Sequence, residues 1–195
     1  MREVYIIRHG ETAWARDGKH TGLTDIPLTE KGKKQASLLG QRLQHIPFVH
    51  VFSSPLKRAL DTCSLCNLTP TILDELLEWD YGAYEGMQSS EIHKKDPTWN
   101  IFTHGAPSGE SVSDVKKRID RLIKKLESLD GTIALFSSGH ISRALASQWL
   151  ELPLQAGSRL ILSTASLSIL SYEHQKRALK LWNDISHHTS HTFKI

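Results

Sequence analysis

Apolar and polar positions along the chain follow two rhythms. Val4-Tyr5-Ile6-Ile7, inside Glu3 to Arg8, is a short β-branched and aromatic run with the pattern of a buried strand. After a polar loop, Ala36, Leu39 and Leu43 recur at helical spacing behind Thr29, a residue suited to capping a helix start. Val49 to Phe52 reads as a second strand. Ser54-Pro55 reads as the opening of the next helix, with serine as cap and proline at the first helical position. From about Leu76 to Glu110 the periodicity breaks down into a loop-rich insertion punctuated by Gly82, Gly86, Pro97, Gly105, Pro107 and Gly109. Ser111 and Asp114 then mark a capped helix start, and Val112, Val115, Ile119, Leu122 and Leu126 form its one apolar face. Thr132 to Phe136 is another buried strand, followed by Ser-Ser-Gly-His and a helix carrying Leu145 and Trp149. Ser166 to Tyr172 and Ala178 to Trp182 flank a short polar turn and read as a hairpin.

Strands alternating with helices, closed by an antiparallel addition, predict an α/β three-layer sandwich. Its sheet is mixed but mostly parallel and flanked by helices, and the loop-rich insertion lies over the active site. One domain is expected over residues 1–195, since no repeat, low-complexity linker or shift in composition marks a boundary. The strands that feed Arg8-His9 and Gly139-His140 should end at the carboxyl edge of the sheet, where open α/β sheets bind ligands.

Composition narrows the function. The hydrophobic content of 39% and charged content of 23% are ordinary for a globular chain. Apolar runs are too short to span a bilayer, and no secretory leader pattern opens the chain, so a cytoplasmic location is expected and a membrane partner is not. The net charge of +3 comes from scattered lysines and arginines, which gives no reason to expect nucleic acid. Cys63 and Cys66 form a C-x-x-C late in a predicted helix, without the context of a redox loop or a second metal-ligand pair. They are expected to be reduced, partly buried thiols. His187-His188-Thr189-Ser190-His191 lacks companions for a metal site and reads as a frayed terminus. No metal and no cofactor is expected, and a P-loop nucleotide site is excluded by the lack of its motif.

The chemistry concentrates in Arg8-His9-Gly10-Glu11-Thr12, directly after the first strand. Neutral imidazole is a good nucleophile near pH 7, Gly10 lets the backbone turn sharply and approach a phosphate, and Arg8 offers a fork matched to phosphate oxygens. A lone tripeptide of this kind fits an ordinary loop histidine equally well. Arg58, at the start of a helix just beyond a strand, and Ser138-Gly139-His140, which repeats the strand–loop–histidine order, shift that balance. Two arginines and a protonated His140 would compensate the charge on a transferring phosphoryl group without metal.

These residues resemble the histidine phosphatase superfamily, also called phosphoglycerate mutase-like. The resemblance covers nearly the whole chain in order: Arg8 to Thr12, Thr21-Gly22-Leu23-Thr24-Asp25 with Pro27-Leu28-Thr29 and Gly32, Ser54 to Ala59, Glu78-Trp79-Asp80-Tyr81-Gly82 with Glu85-Gly86, Gly109-Glu110-Ser111, and Gly139-His140. It implies that His9 forms a phosphohistidine later hydrolysed by water, that Arg8, Arg58 and His140 hold the phosphoryl oxygens, and that Glu78 is the proton donor. An alkoxide leaves poorly, and a carboxyl group that keeps its proton can supply one. Glu85 and Glu110 are rival carboxylates, assigned to structure because the family places its acid at Glu78.

Within the family the sequence is most similar to the sedoheptulose-bisphosphatase-like branch, through His20 to Thr29 and Glu78 to Gly86. Arg143, one helical turn after His140, is placed to meet a second phosphate. His20, Thr21 and Gly22 are expected to line the pocket, and Trp99, Phe102 and His104 to cover the substrate. The implied substrate is a small phosphorylated metabolite, a sugar (bis)phosphate such as sedoheptulose 1,7-bisphosphate. A cofactor-dependent phosphoglycerate mutase is the runner-up, disfavoured because Ala15 stands where those mutases carry asparagine after Trp14. A non-catalytic phospholigand-binding relative is the third reading. The sequence leaves the oligomeric state open.

Overall fold

The computed structural model describes residues 3–188. In chain order the elements are β1 (Glu3–Arg8), α1 (Ala13–Arg16), α2 (Glu30–Leu43), β2 (Phe48–Ser53), α3 (Lys57–Leu65) and β3 (Thr71–Ile72). Then come α4 (Ser89–His93), α5 (Ile101–His104), α6 (Val112–Glu127), β4 (Thr132–Ser137), α7 (Gly139–Trp149), β5 (Leu167–Glu173) and β6 (Lys176–Asp184). One six-stranded sheet runs in the order β3-β2-β4-β1-β5-β6. The first four are mutually parallel, while β5 and β6 are antiparallel additions.

The three layers follow from alternation along the central strands. Val4 and Ile6 of β1, with Ile133 and Leu135 of β4, pack on one side against α6 and α7 through Ile119, Leu122, Leu145 and Trp149. Tyr5, Ile7, Ala134 and Phe136 face the other side and meet Leu39, Leu43, Ala59 and Cys63 of α2 and α3. Strands buried on both faces read as continuous apolar runs because neither side meets water.

Helix starts are mostly local. Thr29 accepts from the Gly32 N–H at 3.0 Å to cap α2, and Ser111 and Asp114 cap α6 reciprocally. The start of α3 differs from the sequence expectation. The helix opens at Lys57, two residues beyond Pro55, and its leading N–H is taken at 2.9 Å by the carboxylate of Asp25, from a loop far away in sequence. Ser54 Oγ instead accepts from Leu56 N at 3.4 Å, outside the helix. The insertion also contains more structure than expected, since the short helices α4 and α5 and two single 3-10 turns lie between residues 74 and 104. Cys63 and Cys66 are buried free thiols, and burial raises each to about 12.

The start of the tail, as far as His188, is ordered rather than frayed. Ser186–His188 form a 3-10 turn, and the half-buried His187 donates from Nε2 to the Ala165 carbonyl at 2.8 Å. Residues 189–191 of the histidine-containing tail lie outside the described residues. Among the described residues no helix is long and apolar enough to cross a membrane, and no cluster of three or more potential metal ligands occurs.

Candidate active site

The site is built at one edge of the sheet by register. β1 and β4 are parallel neighbours with Arg8 opposite Ser137, and the His9 N–H donates to the Ser137 carbonyl at 2.9 Å. Two strands that end level in this way deliver His9 and the Ser138-Gly139-His140 turn side by side. A cavity of about 90 Å³ lies there, lined by Arg8, His9, His20, Glu78, His140 and Arg143 among others. Thr21, Tyr81, Lys19, Ala15, Gly139 and Leu162 complete its wall.

His9 is buried, and its Nδ1 lies 2.8 Å from its neighbour's carbonyl, Gly10 O. A carbonyl only accepts, so Nδ1 carries the proton and Nε2 keeps its lone pair. Burial, then the Arg58 and Arg8 charges, hold the ring well below the usual imidazole range, which keeps it neutral. Gly10 is required for a different reason from the one its sequence context suggests. A side chain there would come within 2.5 Å of the Gly32 carbonyl, and one on Gly32 within 2.1 Å of the Glu11 carbonyl. The loop carrying His9 thus rests backbone to backbone on the first turn of α2, and Thr62 Oγ1 accepts from Gly10 N at 3.0 Å.

Arg8 sits against Gly139 and donates from Nη1 to the Leu162 carbonyl. Arg58, the second residue of α3, lies behind the cavity wall rather than on it. Its Nη1 donates to Thr24 O at 2.9 Å, and its Nη2 to Gly22 O at 2.7 Å and Thr21 O at 3.2 Å. In both arginines Nε is buried without a hydrogen-bond partner. An orphaned donor on Arg8 at the cavity wall, with the Arg58 charge behind it and a neutral histidine beside it, suits an anion.

Glu78 is buried and accepts three backbone N–H groups at 2.9 Å: Trp79 and Ile141 at Oε1, His140 at Oε2. The last two belong to the first turn of α7, so the carboxylate caps that helix. Oε2, with one donor, is the oxygen left with room for a proton. Glu110 fixes the following segment: it accepts from Asp80 N at 3.0 Å, while Arg118 grips it with two nitrogens at 2.9 and 2.6 Å.

His140 corrects an expectation. Burial, then Arg143, His20 and Arg8, push it well below the usual imidazole range, so these surroundings hold it neutral rather than protonated. Its Nδ1 meets the hydroxyl of Tyr81, a residue the sequence reading left without a role although it sits three positions after Glu78. Burial raises Tyr81 well above its ordinary value, so it remains a hydroxyl able to donate.

His20 and Thr21 line the cavity, but Gly22 does not. The Gly22 N–H is taken by the Glu85 carboxylate at 2.9 and 3.0 Å, and its carbonyl by Arg58, so Gly22 positions an arginine instead of touching a ligand. Arg143 is partly buried, held by the carbonyls of Gly157 at 2.8 Å and Ser158 at 3.0 Å. Trp99 and Phe102 are buried and line an adjoining cavity. His104 is exposed and turns back on its own helix, bonding Thr103 Oγ1 at 2.8 Å, so it covers nothing. Lys19 and Leu162 went unnoticed in the sequence. Leu162 acts through its carbonyl, which leaves no residue-type signature.

Residues 4–185 match the Histidine phosphatase superfamily (branch 1). The chain belongs to this family. It is 44% identical over 181 residues to an acid phosphatase of Mycobacterium tuberculosis, covering 90% of this chain and 89% of the relative. It is 32% identical over 184 residues to sedoheptulose 1,7-bisphosphatase of Saccharomyces cerevisiae, covering 77% and 68% respectively. A solved structure from Mycobacterium tuberculosis, 41% identical, superposes with a TM-score of 0.90 over 93% of this chain and 97% of that one. The α/β fold with its mixed sheet is that of the histidine phosphatases, and the protein is a phosphoric monoester hydrolase.

Proposed function

We propose that this histidine phosphatase hydrolyses small phosphorylated metabolites without metal, through a phosphohistidine on His9, and that its natural substrate is a sugar phosphate or bisphosphate. The observation that carries the reading is the single hydrogen bond from His9 Nδ1 to Gly10 O, which frees Nε2 beside two buried, unsatisfied arginine Nε–H groups. Nε2 attacks phosphorus, the N–P bond forms and the P–O bond to the alcohol breaks. Glu78 Oε2 passes a proton to the departing alkoxide. A water then attacks the phosphohistidine, Glu78 recovers the proton, and phosphate leaves with His9 restored.

Arg8 and His140 on the cavity wall, with the Arg58 charge behind it, stabilise the phosphoryl oxygens as charge shifts during transfer. A phosphate dianion beside His140 opposes the effect of burial and favours its protonated form. With Tyr81 donating to Nδ1, even the neutral ring keeps an Nε2–H donor. The sugar reading draws on the name of the yeast relative and on the match through His20 to Thr29. Ala15 on the cavity wall favours hydrolase over mutase, because a methyl group stands where the mutases carry an amide. A cytoplasmic location remains part of this proposal.

The deciding experiment is trapping by rapid quench into alkaline detergent with a 32P-labelled substrate, alongside a para-nitrophenyl phosphate assay. The native chain should form an acid-labile phosphoenzyme and turn over, and His9→Ala should do neither. Equal rates for the two proteins would overturn the assignment.

A further inference from the structure

A second cavity of about 130 Å³ opens beside the first and shares His20, His140 and Arg143 with it. Its remaining wall comes from the insertion: Ser89 and His93 of α4, Trp99, Asn100, and Ile101 and Phe102 of α5. The phosphate-sized cavity carries Arg8, Lys19 and Arg143, whereas Arg143 is the only arginine or lysine on the second, among the described residues. Its Nε and Nη2 each donate to a carbonyl, of Gly157 and Ser158, and the guanidinium lies 4.9 Å from the Phe102 ring centre.

The polar groups of the second cavity are mixed in sense. His93 Nε2 faces the Trp99 carbonyl at 3.0 Å, so it carries the hydrogen and Nδ1 is an acceptor. Asn100 Oδ1 accepts from Phe102 N at 2.9 Å to cap α5, which leaves its NH₂ group with two donors. Ser89 Oγ, 3.2 Å from His20 Nε2, donates and accepts. A hydroxyl group both donates and accepts, so it suits such a set. A phosphate only accepts, and would find here one shared cation against the three of the first cavity. Trp99 and Phe102 supply apolar surface for the C–H faces of a carbon skeleton.

We infer that this second cavity binds the alcohol part of the substrate as an uncharged, polyhydroxylated group, read by Ser89, His93 and Asn100, and that it is not a site for a second phosphate. The inference rests on the proposed hydrolase reading and narrows its substrate class towards monophosphate esters of polyols and sugars.

The test compares kcat/KM of the native chain, Asn100→Ser and Ser89→Ala on a hexose monophosphate, the matching bisphosphate and para-nitrophenyl phosphate. Serine at position 100 keeps an oxygen to cap α5, and circular dichroism melts check that both variants fold. Each variant should lose at least ~10-fold more kcat/KM on the hexose monophosphate than on para-nitrophenyl phosphate, as expected when a substrate hydroxyl loses its partner on the cavity wall. Equal losses on both esters, or no loss on either, would overturn the inference. So would a bisphosphate preference of ~10-fold or more in the native chain that Asn100→Ser removes. Failure of the hydrolase reading shows separately, as para-nitrophenyl phosphate turnover that survives His9→Ala.

Discussion

The carboxylate of Glu85 accepts from the backbone N–H of Gly22 through both of its oxygens, at 2.9 and 3.0 Å, across 63 residues of sequence. Glu85 Oε1 also takes the Thr24 N–H at 3.3 Å. The carbonyls of the same short segment, Thr21, Gly22 and Thr24, hold the Arg58 guanidinium. Glu85 therefore acts on the arginine through a loop, without touching the cavity. Glu85→Ala should cut kcat/KM about tenfold, the effect of ~1.4 kcal/mol, since two backbone donors lose their acceptor. Glu85→Gln, which keeps an acceptor, should recover much of it. An alanine variant as active as the native enzyme would show that the loop holds Arg58 unaided.

The contact of Gly10 with Gly32 gives a second expectation. A methyl group on Gly32 would sit 2.1 Å from the Glu11 carbonyl and 2.7 Å from its nitrogen, and backbone on both sides leaves neither able to yield cheaply. Gly32→Ala should destabilise the fold by about 1–3 kcal/mol, and a chain of this length loses ~2–4 °C in Tm for each. Activity should fall further than stability, because the displaced loop carries His9. A thermal melt beside an activity assay reads both. An unchanged melting temperature would mean that α2 shifts freely.

Three histidines around the cavity contribute to the acid behaviour. His9 and His140 are held well below the usual imidazole range by burial first, and His20 to about 4 by burial and His93. Below about pH 6.5 the unfolded chain binds protons that the folded chain refuses, so stability falls as pH drops, by up to ~1.4 kcal/mol per pH unit for each group. For His20 this window runs from about 6.5 down to about 4. Urea midpoints across that range should decline in the native chain and less steeply in His20→Asn. Histidine-resolved NMR should show His9 neutral at pH 6, and a ring half-protonated there would remove the basis for an unprotonated nucleophile.

Much of the molecule was legible in the sequence because burial writes a period into the chain. Val4 to Ile7 and Ile133 to Phe136 are apolar throughout since both faces of β1 and β4 are covered. That His9 and His140 share a cavity was legible from the repeated strand–loop–histidine order, and Glu78 joined them only through the family resemblance. What escaped notice depends on distant backbone. Nothing near Ser54-Pro55 reveals that Asp25 will cap α3, or near Gly22 that Glu85 will take its N–H. The neutral state that its protein surroundings give His140 escaped notice for the same reason, since burial and the arrival of Arg143 and Arg8 beside it are tertiary facts.

Glu78 offers the sharpest chemical test, because two roles meet in one carboxylate. It caps α7 through His140 N and Ile141 N, and Oε2 is the oxygen free to carry a proton. Glu78→Gln keeps one acceptor oxygen but cannot transfer a proton, and its NH₂ group faces a backbone donor. Some loss on every substrate is therefore expected from the strained helix start. The loss of proton transfer adds to it only where the leaving group needs a proton. Hydrolysis of an alkyl phosphate should fall about 10²–10⁴-fold, the usual contribution of a positioned acid. Hydrolysis of para-nitrophenyl phosphate, whose phenolate departs unaided, should fall far less. Trapping sharpens the distinction, because the step from ester to phosphohistidine should slow more than the hydrolysis of phosphohistidine when the alcohol is poor. Equal losses on the two esters would leave Glu78 as a helix cap alone and require another acid.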